Sequence, residues 1–125
     1  METFTELKAY EQNFIESCNT GWGCGYVHIP KDHPVLVKLL INDNDSYYNL
    51  QIDGFSEEIT WSRWNETSDF YVVGFDTAHY WNNIENSSQK FVEDKTNELK
   101  SIIDNYTELN AKLEVQKLFI DLRTK

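Results

Sequence analysis

The chain has 125 residues and a formal charge of −10, with 21 carboxylates against 11 lysines and arginines, and 40% of its residues are hydrophobic. That length suits one domain, 1–125, with a core of its own, and the composition excludes a disordered chain. A surface this acidic excludes non-specific binding to phosphate backbones, which requires clustered cations, and no apolar run reaches the length that spans a bilayer.

The N-terminal stretch METFTELKAYEQNFIES has no apolar core of the kind found in secretory signals, which points to the cytosol. Phe4, Leu7, Tyr10, Phe14 and Cys18 recur every three or four residues, with Ile15 beside them, and this spacing predicts an N-terminal amphipathic helix. The glycines of NTGWGCG (19–25) break that helix and allow a sharp turn. YVHIP (26–30) reads as a short strand closed by Pro30, in which His28 alternates with Val27 and Ile29 and so faces away from both. KDHP (31–34) is a turn. PVLVKLL (34–40) is either a short helix opened by Pro34 or a buried strand, since seven residues do not separate the two periods.

INDND (41–45) is a polar loop. YYNLQID (47–53), EEITWSRW (57–64) and DFYVVGFD (69–76) have strand composition, and the connections GFS (54–56) and NETS (65–68) suit hairpins, so a three- or four-stranded antiparallel meander is expected. From Ser88 the period becomes helical through Phe91, Lys95, Leu99, Ile102, Tyr106, Leu109 and Leu113, with Asn86, Ser87 or Ser88 as cap. Either one long C-terminal helix follows, or a second helix folds back near Asn105 or Asn110. The predicted class is α+β: an antiparallel sheet of about four strands, an N-terminal helix and a long C-terminal helix whose LNAKLEVQKLFIDL segment (109–122) is a candidate oligomer contact.

Cys18 and Cys24 have neither zinc-ligand nor Cys-x-x-Cys spacing, and the three histidines, His28, His33 and His79, include no helical pair, so neither a metal nor another cofactor is expected. Phosphate loops and serine or cysteine nucleophile signatures are missing as well. At the end of VVGFDTAH (72–79) a carboxylate three residues before a histidine can fix the ring tautomer for general-base work. Asp76 can equally cap a turn by accepting backbone N–H groups. Taken together, Tyr26, Lys31, His33, Trp61, Arg63, Phe75, Asp76 and His79 combine aromatic faces for stacking on a planar base with cations for phosphate, the ingredients of a pocket for one nucleotide-like ligand. The competing reading is that most of these aromatics are core.

The succession Cys24-Gly25-Tyr26-Val27, Pro30-Lys31-x-His33-Pro34, Ile59-Thr60-Trp61-Ser62 and Gly74-Phe75-Asp76-Thr77-Ala78-His79 resembles a small bacteriophage- and prophage-encoded family. Its motifs read CGYVxVPKGHP, VHGGLTYS and GFDCAHAGD. The likeness covers Cys24 to about His79 and the helix that follows. Ser56 stands where the family has a histidine, Glu57 and Glu58 where it has glycines, and Tyr80-Trp81-Asn82 replaces its Ala-Gly-Asp. The family is largely uncharacterised; the resemblance implies a phage accessory protein in the host bacterial cytoplasm, and together with the residue types above it leads to the expectation that the chain counters host defence by sequestering a small nucleotide-derived signal. The helical period adds a homo-oligomer through the C-terminal helix, and the charge and hydropathy no direct binding to nucleic acid or membrane. Lys31, His33 and Arg63 would meet phosphates, Trp61 or Phe75 would stack on the base, and Asp76 would accept from a ribose hydroxyl or orient His79. Two other classes stand beside it. One is a phosphodiesterase-like hydrolase using His33 and His79. The other is an acidic decoy that would use Asp43 to Glu66 to occupy a DNA-binding protein, within a stretch from Ile41 to Ser87 where nine acids face Arg63 alone.

Overall fold

A computed structural model describes residues 2–42 and 52–123. Strands β1 (Phe4–Ala9), β2 (Gly23–Pro30), β3 (Trp61–Trp64) and β4 (Phe70–Asp76) form one sheet in the order β1-β2-β4-β3, with every neighbouring pair antiparallel. Helices α1 (Gln12–Cys18), α2 (Val35–Asn42), α3 (Gln89–Asp104) and α4 (Glu108–Arg123) complete an α+β fold. Among the described residues, no helix is long and apolar enough to cross a membrane.

Strict alternation in β2 sets the architecture. Val27 and Ile29 are fully buried on one face, whereas Cys24, Tyr26 and His28 are half-buried on the other. On β4 the buried side chains Tyr71, Val73 and Phe75 share the Val27 face, where Val35 and Leu39 of α2, Ile59, and Leu99 and Ile103 of α3 close the core. Gly25 lies under α3: a Cβ there would overlap the Thr96 hydroxyl, so the helix sits directly on the strand backbone.

The N-terminal helix is present but begins only at Gln12, and Phe4–Ala9, expected within it, is an edge strand paired with Gly23–His28. Its three- and four-residue spacing is coincidental, because Thr5 and Leu7 alternate inward against Phe4, Glu6 and Lys8. The turn after α1 is made by Asn19 in the left-handed region (φ 50°), while Gly23 and Gly25 belong to β2. Gly23 is needed because a Cβ would strike the Lys8 carbonyl of the paired strand.

Segment 34–40 is helical from Val35. The expected meander is instead a hairpin, β3–β4, joined to β1–β2 through the central β2·β4 pairing. Most of the expected strand 47–53 lies outside the described residues, and Glu57–Thr60 precede β3 without strand structure. In the hairpin turn Asn65 Oδ1 accepts from the N–H groups of Asp69 (3.0 Å) and Phe70 (3.2 Å), and Ser68 takes φ 60°. Ser88 caps α3 by accepting from Phe91 N–H. The inward stripe of α3 is Val92, Thr96, Leu99 and Ile103, one position on from most of the predicted residues. The C-terminal helical stretch divides at Asn105–Thr107, where the Thr107 amide and hydroxyl both donate to Asn110 Oδ1 and start α4.

Candidate functional site

On the face of the sheet opposite the core the described side chains of β1, β2 and β3 are half-buried or exposed, and the strand registers array them in rows. Glu6, Tyr26, Gly74 and Trp61 form one row; Phe4, His28, Val72 and Arg63 form the next. Gly74 is required here, since a Cβ would overlap the Tyr26 ring lying across it. From these rows Glu6, Tyr26, His28, Trp61, Arg63 and Val72 line, together with Lys8, Trp64, Asn65 and Glu66, an open recess of about 530 Å³.

Three of the eight predicted site residues meet in this recess. The Trp61 and Tyr26 rings stand edge to face with centroids 6.4 Å apart, and the Arg63 guanidinium carbon lies 3.7 Å above the Trp61 ring. Neither Arg63 nor Lys8 makes an ion pair among the described residues. Burial, followed by the neighbouring Cys24, pushes the Tyr26 phenol upward, so it stays protonated and can donate. His28 is committed within the protein: its ring stacks on Phe4 at 4.2 Å, and its Nε2–H donates to Glu6 at 2.9 Å.

The other five lie elsewhere. Phe75, expected to stack on a ligand, is 1% exposed on the core face, edge-on to Phe55; its parity along β4 turns it inward. Lys31 is an exposed residue 3.9 Å from Asp69. His33 caps the start of α2, its Nδ1 accepting from Val35 N–H at 3.1 Å; burial holds its pKa below the ordinary value, although Asp104 and Asp32 pull it upward.

Asp76 and His79 sit at the far end of the sheet. Asp76 pairs with Cys24, whereas Lys31 and His33 follow Pro30, which pairs with Phe70. At about 3.3 Å per residue, β2 separates the two ends by about 20 Å. His33 and His79 are therefore not assembled as an acid–base pair. Asp76 Oδ1 accepts from Ala78 N–H at 3.0 Å, the turn-capping role. At 3.7 Å from His79 Nδ1 it is too distant for a hydrogen bond, and Asn82 Oδ1 takes that N–H at 3.0 Å instead. His79 stacks flat on Trp81, with centroids 4.4 Å apart.

The segment around Asp76 and His79 is a joint between chain segments. Thr77 Oγ1 donates to Gly23 O (2.7 Å) and accepts from Gly23 N–H (3.2 Å), Gly21 N–H donates to Thr77 O, and Trp22 N–H donates to Ser87 O. The Asn82 amide donates to the Ser87 hydroxyl, completing a buried polar cluster.

The acids of the decoy reading are also dispersed. Glu58 lies 4.0 Å from His79 at one end of the sheet, Glu66 and Asp69 flank the hairpin turn at the other, Asp53 pairs with Lys38, and Asp43 and Asp45 are outside the described residues.

Sequence reasoning missed Lys8 and Glu6, since a helix over 4–18 gave them no fixed partner. The period-two reading of Thr5-Glu6-Leu7-Lys8 was the available signal. Comparison with protein-family models, with curated proteins and with solved structures finds no match to this chain.

Proposed function

We propose that the protein binds and sequesters a small nucleotide-derived molecule on the open face of its sheet, as a phage accessory protein that counters host defence. The observation that carries the binding step is the Tyr26, Trp61 and Arg63 group, two aromatic rings and a guanidinium with no ion pair among the described residues, gathered in an open recess. Aromatic faces accept any planar base, with stacking that contributes about 1–3 kcal/mol per base. Arg63 and Lys8 supply donors for a phosphate, and the Tyr26 hydroxyl supplies a third. One or two phosphates fit this arrangement better than a polymer does, because the remainder of a chain with formal charge −10 repels an extended phosphate backbone. The engagement of His28 with Glu6 and Phe4 favours retention over turnover. The phage-family resemblance supplies the biological setting.

The test is a thermal-shift and calorimetric panel of mononucleotides, cyclic mono- and dinucleotides and ADP-ribose on the full chain, with chromatography of the recovered ligand. At a hundred times its dissociation constant, a bound ligand should stabilise the fold by about 2.7 kcal/mol and return unchanged. Trp61→Ala and Arg63→Ala should each remove about half of the shift or more, the effect of a tenfold or greater loss of affinity, and His79→Ala should leave it in place. A panel with no binder, or binding that survives both substitutions, would falsify the assignment.

A further inference from the structure

We infer that two copies of the chain join edge to edge through β1, extending the sheet across a two-fold axis. β1 is an outer strand, and its register with β2 runs unbroken from Phe4 to Ala9. Which of its backbone groups stay free follows from parity. Tyr10 N–H donates to Trp22 O in continuation of that register, so the residues of β1 that bond to β2 are the even-numbered ones. Further across the sheet, Lys31 N–H donates to Asp69 O and Asn65 N–H to Phe70 O, which carries the same alternation through β4 to β3. The N–H and C=O groups of Thr5, Leu7 and Ala9 therefore point away from the sheet, and no described strand pairs with them.

An open edge is a template for another strand, and proteins usually blunt it with proline, a bulge or unmatched lysines. β1 holds no proline and its pairing shows no bulge. Its lysine, Lys8, has a match in the strand itself, and that match selects both the partner and the register.

An antiparallel pair built on the outward groups of two β1 strands can be centred on Glu6, on Leu7 or on Lys8. Centring on Glu6 or on Lys8 sets that residue against its own copy, like charge on like. Centring on Leu7 sets Glu6 opposite Lys8 of the second copy and Lys8 opposite Glu6 of the second copy. In this register Leu7 bonds to Leu7 of the second copy and Thr5 to Ala9, so every outward group of β1 finds a partner. Glu6 and Lys8 then face each other at non-hydrogen-bonded positions, where opposed side chains come closest. Both are exposed in the single copy, and Leu7, half-buried on the other face, gains Leu7 of the second copy as cover.

Backbone groups alone would accept any extended peptide. The order Thr5-Glu6-Leu7-Lys8-Ala9 is complementary to itself after a half-turn, the property of an isologous contact, and so singles out a second copy. Glu6 and Lys8 also line the recess of about 530 Å³. The two recesses thus meet across the axis, each with Lys8 of the second copy beside its own Glu6.

Sedimentation equilibrium of the full chain without ligand tests this. The contact is small, so the wild-type chain should pass from monomer to dimer between about 1 µM and about 1 mM. Glu6→Lys and Lys8→Glu should each weaken the dimer about tenfold, since each turns the pair on both sides of the axis into a repulsion. The first should do so although it makes the chain less acidic, and the second while leaving the bond between His28 and Glu6 in place. Combining the two substitutions keeps the wild-type net charge and should restore the dimer. Exchange of the Thr5, Leu7 and Ala9 amide protons, followed by NMR, should slow in step with dimer formation. A chain that remains monomeric to about 1 mM, the weak end of specific affinity, overturns the proposal. So does a dimer that either single reversal leaves intact, that the double variant fails to restore, or that leaves these amides unprotected, for the contact then lies elsewhere.

Discussion

The two faces of the sheet share strands but not duties. On the covered face of β2, Gly25, Val27 and Ile29 are packed from above by α2 and α3; on the bare face, one residue out of step, Cys24, Tyr26 and His28 meet water. A covered face is constrained by volume, since any added or deleted atom must be accommodated by helices that rest on the backbone. Apart from Gly74 beneath the Tyr26 ring, the bare face is less constrained by volume and can hold groups suited to a ligand.

Substitutions should divide along that line. The largest losses are expected on the covered face: Gly25→Val drives a side chain into Thr96 and should cost about 3 kcal/mol, and Leu99→Ala, which leaves a cavity beneath α3, about the same, both read from urea-unfolding midpoints. On the bare face, Trp61→Ala should shift stability by no more than about 0.5 kcal/mol while reducing ligand affinity tenfold or more. Equal unfolding by the Trp61 and Leu99 variants would erase the distinction between the faces.

Asp76→Ala falls between these cases. Loss of its bond to Ala78 N–H should cost about 1 kcal/mol with affinity untouched, which separates a turn cap from a ligand contact.

The smallest effect is a pH dependence at the other end of the sheet. His33 has its pKa lowered in the folded state, chiefly by burial, so as pH drops the unfolded chain takes up this proton first. The stability contributed by the neutral ring is complete above about pH 6.5 and declines as pH falls below that value. His33→Asn keeps a helix-capping side chain but does not titrate, and it should remove this part of the slope between about pH 7.5 and about pH 5.5. An unchanged slope would disconnect the cap from the titration.

Much of the covered face is legible in the amino-acid order, because burial imposes a period. Val27 and Ile29 flank His28 with the alternation of a half-buried strand, and the stripe of α3 is visible to within one residue. β1 is hidden for the opposite reason. An edge strand owes its form to the neighbour it pairs with, and Phe4, Leu7 and Tyr10 also fit a helical period, so local pattern alone favours the wrong element. The candidate site is legible in kind but only partly in place. Tyr26, Trp61 and Arg63 carry the correct chemistry, yet only the register between β2, β4 and β3 gathers them, and the same register sends His33 and Asp76 to opposite ends. Phe75 shows how little composition says about direction, since one step along β4 separates an interior ring from an outward-facing one.

The Thr77 joint bears on how phenotypes of this protein should be interpreted. A single hydroxyl ties Gly23 to the end of β4 while backbone bonds from Gly21 and Trp22 pin the following loop, so damage there propagates into the placement of β2 and everything mounted on it. A genetic screen scored only by biological output would therefore rank the Asp76–His79 tract among its strongest hits through the loss of this support alone.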